Sequence, residues 1–169
     1  MKQFFILMVT IFLGVNAWAD VTIGVINLQK IMTTIKDGKD VNDKLKKAFD
    51  DRKGTLTKEE TKIKKEQEDY LKQSALLSSD ARKNKEIAIQ QSIVGLQKKT
   101  MDYQKEITDM EASLKKPILD KVREIIEQIS VEQKVDFTVE ISSSPVVYAK
   151  NKKELTDLTI AAYDKKYKK

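Results

Sequence analysis

Every seventh residue from Phe49 is apolar or aromatic (Phe49, Leu56, Ile63, Tyr70, Leu77), and almost nothing beside that ladder is. The positions that would complete a coiled-coil seam hold Arg52, Glu59, Glu66 and Gln73, so the stripe is one residue wide where a seam needs two. Such a helix cannot bury itself in a globular core. It must lie on a partner helix whose seam it half covers, or stand in solvent as an arm.

A partner is present in the same chain. From Ile89 the residues Ile89, Ile93, Leu96, Thr100, Tyr103, Ile107, Met110 and Leu114 follow in alternating steps of four and three, a full heptad pattern. Between the two runs there is no long polar linker, and Ser78 or Ser79 can cap a returning helix with Asp80 at its positive end. The spacing therefore predicts an antiparallel helical hairpin. Its outgoing helix, roughly Lys39 to Gln73, would extend on the order of 50 Å. Gly54 and Gly95 are expected as bend points or tolerated surface glycines, and Pro117 is expected to kink the second helix or divide it.

Residues 1–19 read as a secretory signal peptide, with Lys2, an apolar stretch from Phe4 to Val15, and Ala17-Trp18-Ala19 before Asp20. That stretch is too short to span a bilayer as a helix, and cleavage after Ala19 would leave residues 20–169. An uncleaved N-terminal anchor is the competing reading, while a lipid anchor has no cysteine to attach to. The chain contains neither cysteine nor histidine, which removes disulfides, thiol chemistry, the commonest general base and the commonest transition-metal ligands. Ser142-Ser143-Ser144-Pro145 reads as a turn, and no G-x-S-x-G or S-x-x-K pattern with suitable neighbours occurs. Carboxylates alternate with lysines along helix faces, where solvation and i,i+4 pairing account for them. No enzyme, metal or cofactor is expected.

The two ends differ from the middle. Val21, Ile23 and Val25 alternate as one face of a short strand, and Val135 to Ile141 alternates likewise. Pro145-Val-Val-Tyr148 follows the serine turn and predicts a further strand, able to pair with its predecessor as a hairpin. Asn151-Lys-Lys-Glu154 looks like the capping box of a final helix with Leu155, Leu158 and Ala162 on one side. The expected fold class is α+β, in the order strand, helix, long hairpin, two strands, helix. Residues 20–37 and 117–169 would form the body and 38–116 the arm. A sheet of three short strands leaves open edges, so oligomerisation is expected to complete it, with a monomer whose helices cover the sheet as the alternative.

The signal peptide, the mature start Ala-Asp-Val-Thr-Ile-Gly-Val-Ile-Asn-Leu-Gln-Lys30, the charged hairpin, Val135-Asp-Phe-Thr-Val-Glu140 and Val146-Val-Tyr-Ala149 together resemble the Skp (OmpH-like) family of periplasmic chaperones. The resemblance covers the whole mature chain. It implies a jellyfish-like homotrimer: the strands of three subunits build a β body, and three arms enclose unfolded outer-membrane proteins without ATP. Carried onto this chain, it assigns Val21, Ile23, Val25, Phe137, Val139, Ile141, Val146 and Tyr148 to the trimer body, although ordinary intrachain core would use the same residues. Around the tip Lys72, Arg82, Lys83 and Lys85 are interleaved with Glu68, Asp69, Asp80 and Glu86, so no uniformly basic lipopolysaccharide site carries over there.

Client contacts are expected at Ile63, Tyr70, Leu76, Leu77, Ile87, Val94 and Met101. Most heptad residues should seal the hairpin and leave the second stripe, Ile87, Val94 and Met101, open. Two adjacent leucines cannot both face one neighbouring helix, so at least one of Leu76 and Leu77 should meet solvent. The chain carries 32 basic and 26 acidic residues, net +6, and its last twenty residues hold seven lysines against three acids. That excess suits anionic lipid or lipopolysaccharide surfaces and acidic client segments, or simply a solvated tail. An exported chain with no recognisable nucleic-acid fold does not point to nucleic acid.

Overall fold

The computed structural model describes residues 20–142 and 146–167; the signal-peptide reading of residues 1–19, Ser143 to Pro145 of the serine turn, and residues 168–169 lie outside the described residues. The elements are β1 (Ile23–Ile26), α1 (Leu28–Thr34), α2 (Lys36–Gln73), a single 3-10 turn (Ser74–Leu76), α3 (Ser79–Glu132), β2 (Phe137–Glu140), β3 (Lys152–Glu154) and α4 (Thr156–Tyr167). Helices α2 and α3 form the hairpin and run 38 and 54 residues. Ser78 caps α3, its hydroxyl accepting the Ala81 N–H at 3.3 Å, with Asp80 in the first turn.

The sheet has the order β2-β1-β3, and both neighbours run parallel to β1. Ile26 on one face of β1 joins Ile31, Ile35, Val41, Ile118, Val122, Ile125, Ile129, Leu155 and Tyr163 in the core, and Leu45 and Leu114 extend this packing into the root of the hairpin. Gly24 shares that face, where a Cβ would come within 2.5 Å of Thr138 Oγ1 and 2.8 Å of Leu155 Cδ1. A side chain at this position would displace Thr138 of β2 and the buried Leu155, so glycine suits the central strand here.

Several expectations need correction. Among the described residues no β-hairpin forms between Val135–Ile141 and Val146–Tyr148, and Val146 to Tyr148 is not a strand; the third strand is Lys152–Glu154, beside β1. Valine and tyrosine favour strands, but the choice is made by the core: Leu155 is fully buried, its N–H bonds the Val25 carbonyl at 2.9 Å, and it draws the preceding lysines into register. As an edge strand, β3 tolerates charge. The last helix consequently begins at Thr156 and not at Asn151. Its buried face is Thr156, Thr159 and Tyr163, while Leu158 is exposed and Ala162 only partly buried. Hydroxyls serve there because each has a partner: Thr156 Oγ1 accepts the Asn27 N–H at 2.9 Å, and Thr159 Oγ1 donates to the Leu155 carbonyl at 2.8 Å.

Pro117 does not divide α3. It lies inside one continuous helix, where the buried run Ile118, Val122, Ile125, Ile129 immediately after it holds the far side against the body. The helices also pass uninterrupted through Gly54 and Gly95, where an added Cβ would meet nothing.

The break that does occur lies between α1 and α2. Ile35 is extended (ψ 148°) and fully buried, and the chain turns sharply there. A Cβ on Gly38 would sit 1.9 Å from the Met32 carbonyl oxygen, a backbone atom with little room to move. Gly38→Ala should therefore lower the melting temperature, costing about 2 kcal/mol or more, whereas Gly54→Ala should raise it slightly. Thermal denaturation followed by circular dichroism checks both.

Candidate functional site

The hairpin closes by two kinds of contact. Ile63 is only 9% exposed between the helices; Leu56 and Tyr70 of α2 and Leu77 at the tip are half-buried, as are Ile89, Ile93, Leu96, Tyr103, Ile107 and Met110 of α3. The seam positions of α2 that carry charge are answered across the gap. Arg52 grips both carboxylate oxygens of Glu106, the Nε contact being 3.3 Å, and its guanidinium lies 5.6 Å from the centre of the Tyr103 ring. One heptad further, Glu59 accepts from Lys99, and nearer the tip the Tyr70 hydroxyl donates to Glu86. The bond from Arg52 holds the Glu106 carboxyl below its ordinary range, and the bond to Glu86 raises the Tyr70 phenol.

A carboxylate whose pKa is depressed in the folded state stabilises fully above the unfolded value, and that stabilisation is lost as pH falls through the folded value. Acidification below the usual carboxylate range should thus loosen the middle of the arm. Amide exchange over residues 52–60 and 99–107, corrected for intrinsic rates, should accelerate in acid, and Glu106→Gln should remove much of that pH dependence.

What the hairpin does not use is left open. Ile87, Val94 and Met101, seven residues apart on α3, are 46%, 52% and 65% exposed, flanked by Gln90, Gln91, Gln97, Lys98 and Gln104. At the tip Leu76 is 88% exposed while Leu77 is partly covered. Of the arm residues singled out above, Ile63 lies inside the hairpin, and Tyr70 is partly buried with its hydroxyl tied to Glu86.

Phe49 and Leu71 are exposed on α2 as well. Phe49 is a rung of the ladder by spacing, yet it borders a groove of about 310 Å³ with Leu56, Tyr103 and Ile107. Leu71 stands one residue off the ladder.

A second apolar surface lies on the body. Ile23 pairs with Phe137 and Val25 with Val139, which puts these four on the sheet face opposite Ile26, with Lys152 and Glu154 of β3 beside them. Phe137 is 48% exposed, Val21 and Tyr148 are exposed, and Val25, Ile141 and Val146 with the two β3 charges line a hollow of about 370 Å³. Val146 reaches the hollow from an irregular segment instead of a strand, and Tyr148 stands exposed on the same segment. Among the described residues no cluster of His, Cys, Asp and Glu could hold a metal, and no helix is long and apolar enough to cross a membrane.

The structure is a long two-helix arm with a partly exposed apolar stripe on α3, rooted in a small parallel-sheet body on which Phe137 is half exposed. The model of the family described as outer membrane protein (OmpH-like) matches residues 22–163, and the chain belongs to that family. Its fold is similar to the crystal structure of a candidate outer membrane chaperone (OmpH-like) from Caulobacter crescentus CB15, with a TM-score of 0.68 at 20% identity over 87% of this chain and 85% of that one. The comparison with curated proteins finds no match.

Proposed function

We propose that this protein is an ATP-independent periplasmic holdase, which binds unfolded outer-membrane proteins and keeps them from aggregating before insertion. The observation that carries this reading is the stripe Ile87, Val94, Met101, left open on an arm whose own hairpin is already closed, in a member of the OmpH-like family. Each such contact contributes about 1 kcal/mol or less when partly exposed, so capture is weak, multivalent and reversible. Leu76 and Leu77 at the tip add to it. Release needs no nucleotide: a client that folds into a membrane withdraws its apolar surface from competition.

In this reading residues 1–19 direct export and are removed, 38–116 bind clients, and 20–37 with 117–169 assemble a homotrimer through the open sheet face. The lysines near the C-terminus would favour anionic lipid or lipopolysaccharide surfaces.

The primary test is light scattering of a denatured outer-membrane β-barrel protein diluted with and without this protein. Suppressed aggregation is expected; a structural spacer of the cell envelope would leave the scattering unchanged. Replacing Ile87, Val94 and Met101 together with serine should leave the melting temperature nearly unchanged, because exposed substitutions cost within about 0.5 kcal/mol each. Affinity for a fluorescently labelled unfolded barrel protein should nevertheless fall several-fold. Phe137→Asp places a charge in the assembly face and should dissociate the oligomer, seen by sedimentation velocity.

A further inference from the structure

At the root of the arm three helices are tied by polar contacts. The Tyr163 hydroxyl of α4, a residue 2% exposed, donates to Asp37 Oδ2 in the first turn of α2 at 2.9 Å. Lys121 of α3 lies 3.5 Å from the same oxygen, and its ammonium sits 4.8 Å from the centre of the Tyr167 ring. One turn along α3, Glu124 receives Lys166 at 2.7 Å and the Tyr167 hydroxyl at 3.1 Å. The Tyr163 and Tyr167 rings themselves lie 4.8 Å apart.

The clasp lies between the two places at the arm root where helical hydrogen bonding is interrupted. On one side α2 starts afresh after the extended Ile35. On the other, Pro117 has no N–H to donate, so α3 lacks one helical hydrogen bond just outside Lys121. Beside the clasp lies a cleft of about 650 Å³ between the first turns of α2 (Lys36, Asp40, Asp43) and the last turn of α4 (Asp164, Tyr167). Packing therefore does not fill the space between the arm root and α4.

We propose that this clasp is the latch that sets the angle at which the arm leaves the body, with Tyr163, Asp37 and Lys121 as positioning residues and the adjoining cleft as the space into which the arm swings when the latch opens. Hinges concentrate their motion at element ends, and the partly exposed Lys121–Asp37 pair opens at lower cost than a core repacks. Burial, followed by the bond to Asp37, holds the Tyr163 phenol protonated well above its ordinary range, so the donor persists at every working pH. The functional consequence rests on the holdase reading: arm angle would set how wide a volume the arms enclose.

The absence of cysteine makes the test direct. Spin labels at Lys64→Cys on the arm and Ala161→Cys on α4 report one arm-to-body distance, read by double electron–electron resonance in the full protein without client. Labelled chains are diluted with unlabelled ones, so that only distances within one chain count. Tyr163→Phe keeps the buried ring and removes the tie; it should broaden the distance distribution about twofold. Adding Lys121→Met should broaden it further, while Lys105→Met, which removes an exposed ion pair on the arm with Asp109, should not.

An unchanged distribution in Tyr163→Phe, with helix content intact by circular dichroism, overturns the latch. The single variant carries the test if the double one fails to fold. Client affinity is measured separately: broadened distances with unchanged affinity would keep the latch and count against enclosure by the arms.

Discussion

The half seam of α2 is the constraint from which the rest of the molecule follows. One apolar residue per heptad cannot hold two helices of this length together in water, and the second seam position is filled by Arg52 and Glu59, whose charges must be met. Glu106 and Lys99 meet them across the gap. The hairpin is thus held by a narrow apolar line and partly exposed ion pairs, individually weak, instead of a wide dry interface. Because α3 spends its inner face on that closure, its outer stripe has nothing of its own to cover it, and an extended apolar surface remains available to another chain.

The body solves a different problem. Its central strand β1 is reached first, and both neighbours return to it from far along the chain, one after the entire hairpin and one after an irregular segment. Parallel pairing of both places the strand starts at the same end, with the Thr22 N–H on Asp136 at 2.6 Å and the Asp136 N–H on the Thr22 carbonyl at 2.9 Å. One sheet face is packed by α3 and α4. The other carries Ile23, Val25, Phe137 and Val139, of which Val25 is buried and Phe137 is about half exposed among the described residues.

Arm and body meet at a place where the chemistry changes from packing to polar ties. The buried isoleucines of α3 stop at Ile118, Val41 and Leu45 continue the core only a short way up α2, and beyond Leu114 the half-covered seam takes over. Stability, as judged by burial, is therefore graded along the molecule, which suits a protein whose arm must adapt to irregular partners.

The hairpin was legible before any coordinates, because heptad spacing is a local, periodic signal and Ser78 is a local cap; the open stripe followed from the same arithmetic. So did β1 and β2, from their alternation. The third strand and the face of α4 were not legible. Lys152–Glu154 has no strand signal of its own, and its pairing is imposed from outside by the burial of Leu155 beside Val25, just as Thr156, Thr159 and Tyr163 turn inward because hydrogen-bond partners await them. The sequence by itself determined a long charged hairpin and a small strand-bearing body, since both are written in residue spacing. Only the tertiary structure decided the parallel order of the sheet, the continuity of α3 through Pro117 and the clasp at the arm root, because each depends on residues distant in the chain competing for the same buried space.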